Sequence, residues 1–131
     1  MEQVPKKRAC VVQKYLSNPY LIDNLKFDLR IYVYVTSYDP LRVYIYNDGL
    51  TRFASRKYST SNKTIHDKFM HLTNYSINKT NKDYKSNNDE NACYGHKWSL
   101  KALWVYLKKK GINTDKIWDN ICDLVVKTII W

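Results

Sequence analysis

The chain has 131 residues, a length that suits one small domain or part of a larger one. Apolar residues make up 44% and charged residues 26%, a mixture that excludes a disordered polymer. The formal charge of +10 attracts anions such as nucleotide phosphates, nucleic acid, anionic lipid or acidic protein tails, although a solvated lysine-rich surface explains it as well.

Residues 10–16 read as a short strand. Asn18-Pro19 interrupts it, because Pro19 has no backbone donor and disfavours a helical residue before it. Residues 26–36 form the clearest strand. Phe27, Leu29, Ile31, Val33 and Val35 alternate with Lys26, Asp28, Arg30, Tyr32 and Tyr34, so one face is aliphatic and the other charged and aromatic. Tyr38-Asp39-Pro40 predicts a turn. Residues 42–46 predict a second strand, Asn47-Asp48-Gly49 a hairpin and residues 50–54 a third strand. Residues 71–79 are a compact polar-aromatic segment, and residues 80–91 a mobile surface loop.

The period then changes to that of helices. Leu100, Leu103, Trp104 and Leu107 recur at i, i+3, i+4 and i+7, with Ser99 as the cap and Gly111 as the stop. Thr114 is expected to cap a second helix with Ile117, Ile121, Leu124, Val125 and Thr128 on one stripe. Strands followed by helices predict an α+β fold. The sequence enters a strand almost at Met1 and stops at Ile129-Ile130-Trp131, inside an apolar helix. We therefore expect a partial domain spanning residues 1–131, truncated at both ends.

Several chemistries find no support. Cys10, Cys93 and Cys122 lack Cys-x-x-Cys spacing, and reduced thiols of a cytosolic protein fit them best. His66, His71 and His96 show no metal-ligand spacing, and the three glycines make no phosphate loop. No apolar run approaches the ~20 residues of a membrane span. Asn62, Asn74 and Asn78 each begin an Asn-x-Ser/Thr triplet, read as chance in an Asn-rich chain without a secretion signal. Trp98 and Trp104 are assigned to the core.

Two constellations remain. Lys26, Asp28 and Arg30 project from one strand face, each ~6.5–7 Å from the next. A carboxylate flanked by two cations suits polyphosphate, with Lys as a point charge and Arg as a bidentate fork. On spacing alone, an exposed ladder of salt bridges accounts for the pattern better. The second is His71-Leu72-Thr73-Asn74-Tyr75-Ser76-Ile77-Asn78-Lys79, dense in short hydrogen-bonding groups. It could line a polar pocket, but bottom-up a loop rich in local caps is the simpler reading.

These stretches, with Asn18-Pro19, Leu21-Ile22, Pro40-Leu41-Arg42-Val43-Tyr44, Gly49-Leu50-Thr51-Arg52-Phe53-Ala54, Lys97-Trp98-Ser99-Leu100 and Lys127-Thr128-Ile129-Ile130, together resemble the tubulin tyrosine ligase-like family. The resemblance runs in order over nearly the whole chain. Val35-Thr36-Ser37 and Leu72-Thr73-Asn74-Tyr75-Ser76 look closest to its polyglutamylases.

The resemblance implies part of an ATP-grasp fold, which holds ATP between two α+β lobes and forms an acyl phosphate that an amino group attacks. It implies that Gln13, Lys14, Tyr15 and Leu16 read adenine through backbone groups. Lys26, Asp28, Thr73 and Asn74 would contact ATP. Arg30 would be catalytic, stabilising charge on the transferring phosphate. Arg52, Tyr75, Ser76 and Lys97 would bind the incoming amino acid, with Arg52 and Lys97 on its carboxylates.

The family's Gly-rich, lysine-bearing phosphate region and its Glu-x-Asn magnesium motif are both absent from this sequence, so Mg2+ ligands are expected outside it and no complete active site within it. The function implied is that of an ATP-dependent glutamate ligase acting on tubulin or similar acidic tails, cytoplasmic and associated with cytoskeleton, cilium or flagellum. A non-catalytic basic module for acidic tails or nucleic acid is the alternative. Lys108-Lys109-Lys110 ends a helix and complements its dipole, which argues against nucleic acid.

Overall fold

The computed structural model describes residues 9–130. Four antiparallel strands form one sheet in the order β1-β2-β3-β4: β1 Leu21–Ile22, β2 Leu25–Tyr38, β3 Leu41–Lys57 and β4 Lys97–Ser99. Between β3 and β4 lie a 3-10 turn over Asn62–Thr64, α1 Lys68–His71 and α2 Tyr75–Asn78. The chain continues into α3 Leu100–Lys109 and α4 Thr114–Ile130, so the α+β expectation holds.

Residues 10–16 are not a strand. They run irregularly and mostly exposed, without a ladder partner to satisfy a strand's backbone groups. The expected strand entry at Met1 and the chain end at Trp131 lie outside the described residues.

One tight turn of the sheet is Asp23-Asn24, with φ of 51° and 61°, joining Ile22 to its partner Leu25. Asp and Asn tolerate this left-handed region better than other side chains.

Asn47-Asp48-Gly49, expected as a hairpin, lies inside β3. Positive φ there, which a primed turn requires, is absent. Instead the register slips: Ile31 faces Gly49 while Val33 faces Ile45, leaving residues 46–48 as a bulge. Asp48 Oδ1 accepts hydrogen bonds from the backbone N–H of Gly49 at 2.8 Å and of Lys101, in the first turn of α3, at 3.1 Å. Gly49 is needed for close approach, because a Cβ there would lie 2.2 Å from the Arg30 carbonyl oxygen.

One face of the sheet builds the core. Phe27, Leu29 and Ile31 of β2 pack with Phe53, Trp98, Leu100, Leu103 and Leu107. The Phe53 ring lies 4.7 Å from Trp98, and Phe27 lies 5.5 Å from Phe53. Trp104 of α3 meets Trp118 of α4 edge-on at 6.4 Å, so Trp98 and Trp104 both serve packing. The aliphatic face of β2 is covered only in its first half. Val33 is already 39% exposed, as β2 and β3 continue beyond the core to the turn at residues 39–40.

Ser99 caps α3 by accepting from Ala102 N at 3.0 Å, and Gly111 ends it at φ 76°. The cap of α4 is Asn113, which accepts from Lys116 N at 3.0 Å. Thr114, the expected cap, is the first helical residue, and its hydroxyl is buried without a partner. Among the described residues no helix is long and apolar enough to cross a membrane.

Gly49→Ala should force β2 from β3 at Arg30 and cost about 3 kcal/mol, the upper end for an overpacked site. Urea unfolding monitored by Trp fluorescence would read this as a lower midpoint. An unchanged midpoint would mean that the strands separate at no cost.

Candidate functional site

Lys26, Asp28 and Arg30 leave the sheet opposite the core. Across the ladder Asp28 faces Arg52 and Arg30 faces Leu50, while Lys97 of β4 faces Arg52. Three separate segments therefore deliver polar side chains to one face. Asp28 and Arg52 form a two-point ion pair: Arg52 Nε donates to Asp28 Oδ1 at 3.0 Å, and a second guanidinium nitrogen donates to Oδ2. The carboxylate, as hydrogen-bond acceptor, holds the Arg52 guanidinium above its ordinary value. Arg30 is exposed.

A cavity of about 560 Å³ opens on this face. Its wall brings together five of the residues singled out in the sequence: Arg30, Arg52, Thr73, Tyr75 and Lys97. Asp28 reaches it indirectly, through Arg52. The other candidates lie off its wall. Asn74 and Ser76 are exposed around α2, and Asn74 precedes that helix without a side-chain cap. Gln13, Lys14, Tyr15 and Leu16 are exposed along the irregular N-terminal segment.

Lys26 is held apart from the cavity by a network of its own. Its ammonium donates to the His71 carbonyl oxygen at 3.0 Å and to the Tyr15 hydroxyl at 3.2 Å. Tyr15 Oη in turn lies 2.9 Å from His71 Nδ1. His71, the first residue of the polar segment singled out in the sequence, is buried, with Nε2 2.9 Å from the Thr64 carbonyl oxygen.

The segment of residues 71–79 owes its place to Asn78, a member of that segment to which the sequence assigns no site role. Asn78 is fully buried. Its carboxamide oxygen accepts from Ser55 N at 2.9 Å and Ser55 Oγ at 2.7 Å. Its nitrogen donates to the carbonyl oxygens of Leu72 at 2.8 Å and Asn74 at 3.1 Å. Asn81 adds a bond to Ser55 Oγ at 2.8 Å. These bonds fasten the segment to β3 and set Thr73 and Tyr75 at the cavity wall.

Tyr84 and His96 also line the cavity and were not predicted to. Their rings stack at 5.3 Å, and His96 Nδ1 accepts from Lys85 N at 2.9 Å. Burial pushes His96 below its ordinary value. Alternation alone puts Lys97 and Trp98 on opposite faces, but nothing in the sequence signals Tyr84. The loop of residues 80–91, expected only as a surface loop, thus supplies cavity wall. Among the described residues no three His, Cys, Asp or Glu side chains gather as metal ligands.

A second groove, of about 600 Å³, lies between Asp28, Arg30 and the aliphatic side of β2 and the stripe of α4 that includes Ile121, Leu124 and Val125.

The sequence model of the tubulin-tyrosine ligase family matches residues 1–131. A tubulin monoglutamylase, TTLL4 of Mus musculus, is 67% identical over 128 residues, covering 98% of this chain and 11% of that protein. A tubulin polyglutamylase, TTLL5 of Mus musculus, is 49% identical over 129 residues, covering 98% and 10%. A probable beta-tubulin polyglutamylase of Tetrahymena thermophila is 51% identical over 122 residues, covering 92% and 10%. The chain thus spans about a tenth of the length of these relatives.

Two outcomes are expected of the cavity wall. Asn78→Ala should strand the buried Ser55 N–H and Leu72 carbonyl and cost about 3 kcal/mol, measured by urea unfolding. For His96, the folded value is depressed, so the neutral ring contributes stability above about pH 6.5 and loses it as pH falls through the folded value. Melting temperature should decline below that pH in the wild type and decline less in His96→Gln.

Proposed function

The chain belongs to the tubulin-tyrosine ligase family, and we propose that it forms part of an ATP-dependent, ATP-grasp ligase that joins glutamate to the acidic tails of tubulin. One observation carries this reading. A single cavity gathers Arg30, Arg52 and Lys97, three cations, beside Thr73 and Tyr75 of the 71–79 segment. Among the described residues only one of the three is matched by a carboxylate, Asp28 on Arg52. Such a donor set fits a polyanion: glutamate, with two carboxylates, or the phosphates of ATP.

In this reading Arg52, Tyr75, Ser76 and Lys97 bind the amino acid, although Ser76 lies off the cavity wall. Lys26 and Asp28 face the nucleotide, and Arg30 stands where the two sets meet. Thr73 and Asn74 close the nucleotide side, and Gln13 to Leu16 pass the adenine. ATP, when bound, supplies the phosphoryl group that activates a carboxylate as an acyl phosphate. Arg30, without a partner among the described residues, is free to meet negative charge as it develops. Asp28 orients the Arg52 fork and leaves its remaining nitrogen for a carboxylate. The described residues gather no magnesium-ligand set, and none is assigned to them. The relatives are tubulin glutamylases by name, which supports glutamate as the amino acid and suits a cytoskeletal setting, in cytoplasm or cilium. The excess of positive charge suits an acidic tail through steering and salt-dependent contacts.

The parent enzyme, given tubulin, ATP and each labelled amino acid in turn, should incorporate glutamate ahead of glycine or tyrosine. Preferential glycine incorporation would overturn the substrate. Arg30→Ala in that enzyme should lower kcat by about 100-fold, as for loss of one preorganised charge donor, with its melting temperature unchanged.

A further inference from the structure

The residue that organises the nucleotide-side lysine is His71, to which no role has yet been given. An ammonium has three N–H donors. On Lys26 one donates to the His71 carbonyl oxygen at 3.0 Å and one to the Tyr15 hydroxyl at 3.2 Å. The ammonium also sits 4.8 Å from the centre of the Tyr15 ring. The third N–H has no acceptor among the described residues. Tyr15 is placed in turn by the His71 ring. Nε2 lies 2.9 Å from the Thr64 carbonyl oxygen, which can only accept, so Nε2 carries the proton. In the neutral ring Nδ1 is then the acceptor, and the Tyr15 hydroxyl donates to it at 2.9 Å. That leaves the hydroxyl oxygen free to accept from Lys26. The ring is buried, and Tyr58 flanks it at 5.3 Å while donating to the Ser17 carbonyl at 2.9 Å. The irregular segment of residues 13–17 is thereby tied to β2 and α1 at one point.

We propose that His71 is a positioning residue: through its carbonyl and, by way of Tyr15, through its ring, it fixes the Lys26 ammonium with a single N–H directed to an anionic ligand. This rests on the assignment of Lys26 to the nucleotide side of the site. A free lysine carries about 2 kcal/mol of rotamer entropy that a ligand would otherwise have to remove. The network removes it beforehand, and one remaining donor makes the lysine a directional contact.

The test is nitrogen-15 NMR of the 131-residue chain, reading the Lys26 ammonium and the His71 ring. In the wild type the ammonium should exchange slowly with water, and His71 should be protonated at Nε2 alone. Tyr15→Phe keeps the ring and removes the hydroxyl, and His71→Gln removes the imidazole. Each should speed ammonium exchange about tenfold, roughly the worth of one charge-assisted hydrogen bond. The double variant should be no faster than either single one, since both break the same chain, and backbone amides beyond residues 13–17 and 58–73 should not move. A fast-exchanging wild-type ammonium, or additive effects of the two substitutions, would overturn the proposal. Titration with ATP and with inorganic pyrophosphate separates the two layers. A slow ammonium whose resonance neither probe shifts would leave His71 as the positioner of Lys26 and remove the nucleotide as its ligand, overturning the directed donor.

Discussion

The arrangement depends first on how closely β2 and β3 approach at Gly49. With no side chain there, the Arg30 carbonyl comes within 2.2 Å of where a Cβ would stand. This contact sets the register in which Phe27 faces Phe53, Asp28 faces Arg52 and Leu29 faces Thr51. Core and site then follow from alternation. Odd-numbered β2 residues build the aromatic stack with Trp98, and even-numbered ones supply the carboxylate and the cations of the other face. A slip of one residue would exchange the two sets. This register ends at the bulge of residues 46–48, just before Gly49, where Asp48 leaves the ladder to bind the first turn of α3.

The cavity has two kinds of wall. The sheet supplies charge, and the irregular connection between β3 and β4 supplies shape. α1 and α2 have four residues each, too short to stand alone. They are held by side chains: Asn78 on Ser55, Arg56 on Asp67 at 2.9 Å, and His71 between Thr64 and Tyr15. The fixed part of the site thus rests on a few polar contacts, of which the Asn78–Ser55 pair is buried and Arg56–Asp67 is exposed.

The sequence carried the periodic parts well. The alternation in residues 26–36, the helical spacing from Leu100 to Leu107 and the Ser99 cap all hold. Where it misled, a local signal was outvoted by a contact distant in sequence. Asn47-Asp48-Gly49 has turn composition, yet its glycine serves strand approach and its aspartate accepts from the first turn of a helix about fifty residues away. Thr114 looks like a cap, but the preceding Asn113 takes that place. Residues 10–16 have strand composition and find no strand to pair with. Five of the expected site residues do meet in one cavity, because strand alternation and pairing alone bring three of them to one face. Tyr84 and His96 stayed hidden, and the individual parts of Asn78 and His71 within the 71–79 segment were not legible, because their importance lies in what they touch, and no spacing rule encodes that.

Asn78 has a chemical consequence beyond holding a loop. Asparagine carboxamides age by deamidation, and here the product would be an aspartate with an oxygen where Nδ2 now donates. That oxygen would face the carbonyl oxygens of Leu72 and Asn74 in a site with no exposed surface, acceptor against acceptor. The same enclosure keeps the carboxamide from the attack that starts the reaction. Asn78-Lys79-Thr80 also spells a glycan acceptor, and a nitrogen with both donors engaged inside the fold has no room for a sugar. In a chain so rich in asparagine, the one that would do most harm by changing is the one most thoroughly sealed.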